Sequence, residues 1–192
     1  MSIFVPKFKN SLCIIFIFSC IIFSISTKSL SEENKNLLWQ TSAGNNYSER
    51  FFFGDQINKY NIKNLSKLWT FNSGSTSKYN TVQSPPIFIG DQLLLVTLSG
   101  ELISISPDNG ELQWKKKLEA PLGRRGFIYH KSSKPENQGI YIASGKNVVQ
   151  LNKKGEIKNY FSTGISLVQP FLDENKLYVA TLKEGIKAFN LK

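Results

Sequence analysis

The side chains in this sequence with the clearest chemical potential are an arginine pair beside a glycine, Arg124-Arg125-Gly126, and the single histidine that follows them, His130. Arginine offers a planar fork of donors that matches a carboxylate. The plainer reading is a surface or turn arginine, with Gly126 there to allow close backbone approach in a strand. His130 has no second imidazole anywhere in the chain, so a catalytic triad or a multi-histidine metal site is excluded, and beside Lys131 it reads as a strand-end residue. Both cysteines, Cys13 and Cys20, lie in the first 26 residues; the rest of the chain has no thiol for a metal, redox or nucleophilic site. Gln83 heads a Gln-Ser-Pro-Pro run, and Trp39, Trp69 and Trp114 are read as packing residues.

The elements that position these groups are short strands. In the stretch Ile87 to Leu118, apolar runs at Leu93–Val96, Leu102–Ile105 and Leu112–Leu118 are separated by Ser99-Gly100 and by Pro107-Asp108-Asn109-Gly110. Each run is too short for a helix and is punctuated by residues that supply turns, which predicts a small antiparallel meander. The chain repeats it. Pro86 and the apolar residues after it are echoed at Pro170, 84 residues on, or two periods of 42. A copy lies between, at Gly139-Ile140-Tyr141-Ile142 and Asn147 to Asn152, closed by Gly155 and Tyr160. The closing aromatics Trp69, Trp114 and Tyr160 are 45 and 46 residues apart. A period in the low to middle forties with about four strands per repeat is the pattern of propeller blades. The expected fold is all-β: an incomplete β-propeller of about two and a half to three four-stranded antiparallel blades.

Residues 1–26 stand outside that fold. Lys7 and Lys9 precede an apolar run from Ser11 to Ile25 and a small-x-small site at Ser24-Ile25-Ser26, the layout of a secretory signal peptide. The expectation is an exported, periplasmic protein, or one tethered to the inner membrane if the segment is retained; no other membrane contact is expected. Residues 27–74 form an irregular lead-in with a short helical turn between Lys59 and Leu65 and a first strand ending in Leu68-Trp69-Thr70-Phe71. Residues 75–192 hold the blades, the last of them incomplete. The formal net charge is +10, and losing Lys7 and Lys9 leaves +8. Its lysines are scattered, with one run at Lys115-Lys116-Lys117, which describes a solvated surface and not a nucleic-acid site.

Taken in order, the motifs resemble a family. Trp39, Gly44, Arg50-Phe51, Asp55-Gln56-Ile57-Asn58 and Leu68-Trp69 are similar to the mature N-terminus of the quinoprotein dehydrogenases, propeller enzymes that use pyrroloquinoline quinone to oxidise alcohols or sugars outside the cytoplasm. Gln83-Ser84-Pro85-Pro86 resembles that family's lead into its first blade. Ser104 to Trp114 resembles its tryptophan-docking repeat, with Ser106 for the usual Asp and Asn109 for the Thr. Gly123 to His130 resembles its arginine-glycine segment, and Gly185 to Asn190 its GxIxAFD strand. The resemblance implies pyrroloquinoline quinone as cofactor, with Arg125 and Gln83 as its contacts. It also implies a calcium ion and a catalytic aspartate, which the chain does not show. Family members carry part of that apparatus between the strand like Leu177–Thr181 and the GxIxAFD strand, where only Leu182-Lys183-Glu184 stands here.

No catalytic or metal residue is therefore assigned. The leading expectation is a truncated or fragmentary relative of the periplasmic quinoprotein dehydrogenases, without a complete active site. One alternative is a non-catalytic propeller scaffold for protein contacts in the cell envelope, resembling the outer-membrane assembly lipoprotein. Another is a partner subunit whose blades complete another chain's sheet. The expected partners are further propeller blades or a chain that completes the sheet.

Overall fold

The structure is a computed structural model that describes residues 38–45, 47–52, 54–74, 83–120, 122–123 and 125–191. Residues 1–37, which include the expected signal segment with Cys13 and Cys20, and Arg124 lie outside the described residues. Among the described residues, eleven strands form three antiparallel sheets. The first runs β1 (Ile87–Phe88), β2 (Leu93–Val96), β3 (Glu101–Ile105), β4 (Leu112–Lys117). The second runs β5 (Ile128–His130), β6 (Gly139–Ser144), β7 (Asn147–Leu151), β8 (Ile157–Ser162). The third has β9 (Phe171–Asp173), β10 (Lys176–Thr181) and β11 (Gly185–Asn190), with β10 in the middle. In each sheet the strands pair in chain order, as short turns require. This is the expected unclosed propeller array. The described part of the lead-in is irregular and contains a 3-10 turn at Ile62–Asn64.

Side-chain alternation explains how the sheets stack. On the second sheet, Ile140, Ile142, Val149 and Leu151 enter a core shared with Leu94, Val96 and Leu102 of the first. Their neighbours Tyr141, Ala143 and Val148 point the other way, into a core shared with Leu172, Leu177 and Val179 of the third. Successive residues of a strand face opposite sides, so a strand buried on both faces must be apolar throughout. β6 is buried at all six positions. Burying each isoleucine of that strand contributes about 1.5–3 kcal/mol.

The sheets are also clamped by tryptophans. The Trp114 Nε1–H, on β4, donates to the Lys153 carbonyl between β7 and β8 at 2.8 Å, and its ring lies over Gly155. The Trp69 Nε1–H donates to the Pro107 carbonyl between β3 and β4 at 3.0 Å, with its ring over Gly110. Both glycines have positive φ, +73 at Gly110 and +78 at Gly155, and a methyl on either would stand 2.6 Å from the indole. Only glycine satisfies both demands.

The third closing aromatic is a correction. β3 and β7 each carry a register shift at the same place, so that Trp114 opposes Ser104 and Asn159 opposes Gln150. Asn159, 45 residues after Trp114, holds the docking position. Tyr160 is one residue further on, faces the other side and is 63% exposed. An offset of one residue in a strand exchanges its faces.

Candidate functional site

Arg125 and Gln83 occupy equivalent places, in the segments that lead into the first strands of successive sheets, β5 and β1. Both are exposed, and neither side chain makes a hydrogen bond or ion pair to another described residue. The Arg125 backbone N–H donates to the Leu167 carbonyl at 3.3 Å, in the corresponding segment ahead of β9. Gly123 donates to the Ala143 carbonyl at 2.9 Å, and the Tyr129 N–H to the Gln40 carbonyl at 2.9 Å. The arginine loop is therefore pinned on three sides, by β6, by the lead-in and by the segment before β9, while the guanidinium itself projects outward.

Sequence reading missed Gln169. Its Oε1 accepts from the Ser42 N–H at 3.1 Å and from the Ser42 hydroxyl at 2.7 Å, joining the lead-in to the third sheet. Gly126 lies against this node, where a methyl would come 3.0 Å from Oε1 and 3.1 Å from the Ser42 Cβ. The signal was present: Gln169-Pro170 precedes β9 much as Gln83-Ser84-Pro85-Pro86 precedes β1. Gly126 thus allows close approach, as expected, and the approaching groups are Ser42 and Gln169.

His130 is the last residue of β5 and is buried, edge-on to Tyr141 at 6.2 Å between centroids. Its Nε2 has no hydrogen-bond partner among the described residues. Burial lowers its pKa, against the backbone of Glu174 and the charges of Asp173 and Glu174, which raise it. A neutral, sequestered imidazole is placed for packing and not for proton transfer at the surface. The expectation that the tryptophans pack holds for all three: Trp39 and Trp114 line the core of the first two sheets, and Trp69 is docked on a turn.

Among the described residues no three His, Cys, Asp or Glu side chains come together to hold a metal. β10 and β11 are joined directly by Leu182-Lys183-Glu184, with Thr181 paired to Gly185. A groove of about 370 Å³ does open between the second and third sheets, lined by Asn137, Gln150, Asn159, Tyr160, Asn190 and Leu191 among others. It surrounds Asn159, the place where the first joint has an indole.

The sequence of residues 39–188 matches the model of the glucose/ethanol/alcohol dehydrogenase β-propeller domain, the PQQ family. The chain belongs to this family. Among relatives of the PQQ family, quinoprotein glucose dehydrogenase A of Acinetobacter calcoaceticus is 35% identical over 120 residues, which are 56% of this chain and 14% of the relative. Quinate/shikimate dehydrogenase (quinone) of Acinetobacter baylyi is 27% identical over 109 residues, 53% of this chain and 14% of the relative. This chain thus spans a small part of the length of the curated relatives it matches. A europium-containing methanol dehydrogenase superposes with a TM-score of 0.61 at 14% identity, covering 80% of this chain and 30% of that one, and shares the fold.

The family implies pyrroloquinoline quinone, a planar ortho-quinone with three carboxylates, and a cation beside it. The residues present fit the first requirement in part: Arg125 has an unengaged guanidinium among the described residues, on a loop fixed by backbone hydrogen bonds. They do not supply the second.

Proposed function

We propose that the chain is a quinone-contacting part of a PQQ-family propeller, with Arg125 as a donor to the cofactor's carboxylates and Gln83 as a second polar contact. The observation that carries this is the geometry of Arg125: an exposed guanidinium without an acid partner among the described residues, held on a loop anchored to Leu167, Ala143 and Gln40. When bound, the quinone would supply the redox chemistry, taking two electrons and two protons from the hydroxyl and its carbon in an alcohol or sugar. The residues of this chain bind and orient it. They supply neither a base nor a cation site among those described, so the activity proposed is binding, in service of oxidation by a periplasmic quinoprotein dehydrogenase. Export through the first 26 residues, with a membrane tether if they are retained, completes the proposal.

The test is thermal unfolding of the purified chain with pyrroloquinoline quinone, with and without calcium. At a quinone concentration 100 times the dissociation constant the native state gains about 2.7 kcal/mol, a shift of several degrees in Tm. Arg125→Gln is expected to abolish the shift and leave the Tm without quinone unchanged, since the side chain holds no partner among the described residues. No shift with quinone up to millimolar concentration overturns the proposal.

A further inference from the structure

We infer that the turn beneath the Trp69 indole is a site of self-modification: Asn109 deamidates to aspartate and isoaspartate through attack by the Gly110 nitrogen, and the docked indole holds that reaction back. This goes beyond the cofactor reading and holds whether or not a quinone binds.

Asn109 is the one asparagine of the chain that is followed by glycine, and it is exposed in the turn between β3 and β4. A side chain on the following residue crowds the backbone nitrogen, and glycine has none. The Gly110 nitrogen can therefore bond to the Asn109 Cγ and close a five-membered succinimide. Its proton passes through water to the departing Nδ2, which leaves as ammonia. Water then adds to one of the two ring carbonyls. Opening at Cγ gives aspartate, and opening at the backbone carbonyl gives isoaspartate, in which the main chain runs through the former side-chain carbons. One water is consumed and one ammonia released, with no change of oxidation state. The equivalent turn between β7 and β8 is an internal contrast: Trp114 covers Gly155 there as Trp69 covers Gly110, but Lys154 precedes the glycine. Asn58 and Asn152 accept a backbone N–H two residues on, as Asn109 does, but Lys59 and Lys153 follow them.

The docked turn opposes ring closure at each of the groups that must move. The Gly110 N–H, whose proton has to be lost, donates to the Ser106 carbonyl at 2.9 Å. The Asn109 Oδ1 is held by the Glu111 N–H at 3.1 Å. The indole lies so close over Gly110 that a Cβ there would stand 2.6 Å from its Cε3, and the Trp69 Nε1–H fixes the Pro107 carbonyl at 3.0 Å. Bringing the Gly110 nitrogen onto Cγ requires the peptide between Asn109 and Gly110 to rotate, which breaks the bond to Ser106 and drives Gly110 against the ring. The reaction is thereby confined to the undocked turn, and its rate follows the fraction of time the indole spends away.

The two products differ in what they do to the clamp. Aspartate keeps the length of the main chain and an oxygen to accept from the Glu111 N–H, so the indole docks as before. Isoaspartate puts an extra atom into the main chain between Ser106 and Gly110, the span whose closure by the Gly110 N–H presents the glycine to the ring. The glycine then no longer comes to rest under Trp69. Because ammonia is lost the change is one-way, and a single opening of the clamp can become permanent.

The experiment incubates the full chain for days in mildly alkaline buffer at physiological temperature, folded and in urea. The peptide holding Asn109 is followed by mass spectrometry with a fragmentation method that separates aspartate from isoaspartate. In urea, conversion at Asn109 is expected to outrun that at Asn152, whose Lys153 neighbour crowds the nitrogen. The folded parent is expected to convert at least about tenfold more slowly than the parent in urea, and folded Trp69→Ala to recover most of that difference. Circular dichroism establishes that the variant is folded. If it is not, Trp69→Phe, which keeps a ring over Gly110 and loses the bond to the Pro107 carbonyl, takes its place and is expected to convert at an intermediate rate. The isoaspartate form, resolved by chromatography, is expected to lose deuterium-exchange protection at the Gly110 amide, and Asn109→Asp to keep it. A parent that converts as fast folded as in urea, a folded Trp69 variant no faster than the parent, or equal Gly110 protection in the isoaspartate form and Asn109→Asp overturns the inference. None of these outcomes touches the quinone-dependent Tm shift, which tests the cofactor reading separately.

Discussion

Alanine at Gly155 and at Trp114, singly and together, tests whether the indole clamp works as described. At Gly155 the backbone φ is +78, which costs a side chain about 1–2 kcal/mol. The new methyl would also lie 2.6 Å from Trp114 Cε3 and 2.9 Å from Cδ2, and overpacking of that kind adds about 1–3 kcal/mol. Trp114→Ala removes a half-buried ring and the bond to the Lys153 carbonyl. That carbonyl keeps the Gln92 Nε2–H at 3.0 Å, so the loss falls near the low end for Trp→Ala, about 3 kcal/mol. With the ring gone, the methyl at Gly155 has nothing to strike, and only the φ cost of about 1.5 kcal/mol remains. The double variant is thus expected to lose about 4.5 kcal/mol where additivity would give about 6.5, a coupling of about 2 kcal/mol. Urea unfolding followed by far-UV circular dichroism reads all four proteins without relying on the deleted fluorophore. Additivity within about 0.5 kcal/mol would show that ring and glycine do not meet, and would refute the docking argument for both Trp114 and Trp69.

Two further outcomes follow from charge and burial. Partial burial raises the Asp91 pKa, but the hydrogen bond from Lys153, a backbone hydrogen bond and the Lys153 charge outweigh it, and the carboxyl ends below its ordinary 3.8. The Lys153–Asp91 pair, 3.0 Å apart and largely exposed, is worth about 0.2–1 kcal/mol, so Lys153→Met should cost that much above pH 4, and the difference from the parent should vanish as pH falls through the lowered pKa. His130 has the reverse arithmetic: its folded pKa lies below the ordinary 6.5, so the unfolded chain binds the proton first and stability is complete above pH 6.5 and lost below it. Thermal scans of His130→Phe are expected to be flat from pH 7 to 5.5 where the parent declines by at most about 1.4 kcal/mol per pH unit; an equal decline in both would remove His130 as the cause.

The sequence made the strands of the full sheets legible because alternation and turn residues are local properties. Leu93–Val96, Leu102–Ile105 and Asn147 onward are strands where the pattern placed them, and the period near 45 revealed the stacking. Tyr160 was misread for a physical reason. An aromatic residue one place from the periodic position is the stronger visible signal, but the matching register shifts at Ser104/Ile105 and Gln150/Leu151 keep the true equivalence at Asn159. Of the site, Gly126 as a point of close backbone approach was legible in the sequence. Gln169 was not, because its partner Ser42 is 127 residues away and no local pattern announces a contact of that span.

Asn159 has a consequence for how the molecule comes apart. In a linear array each unit leans only on its neighbours, so the stack opens at its least secured joint. The first joint has the Trp114 indole and the Lys153–Asp91 bridge. The second has Phe161 against Phe189 at 6.0 Å and a row of aliphatic side chains, with an amide where the indole would be, hydrogen-bonded back to Gln150 of its own sheet. The amides of β9 to β11 should therefore exchange with deuterium through a partial opening that leaves β6 and β7 protected, and a pulling force applied between the first and third sheets should peel the third away before the others yield.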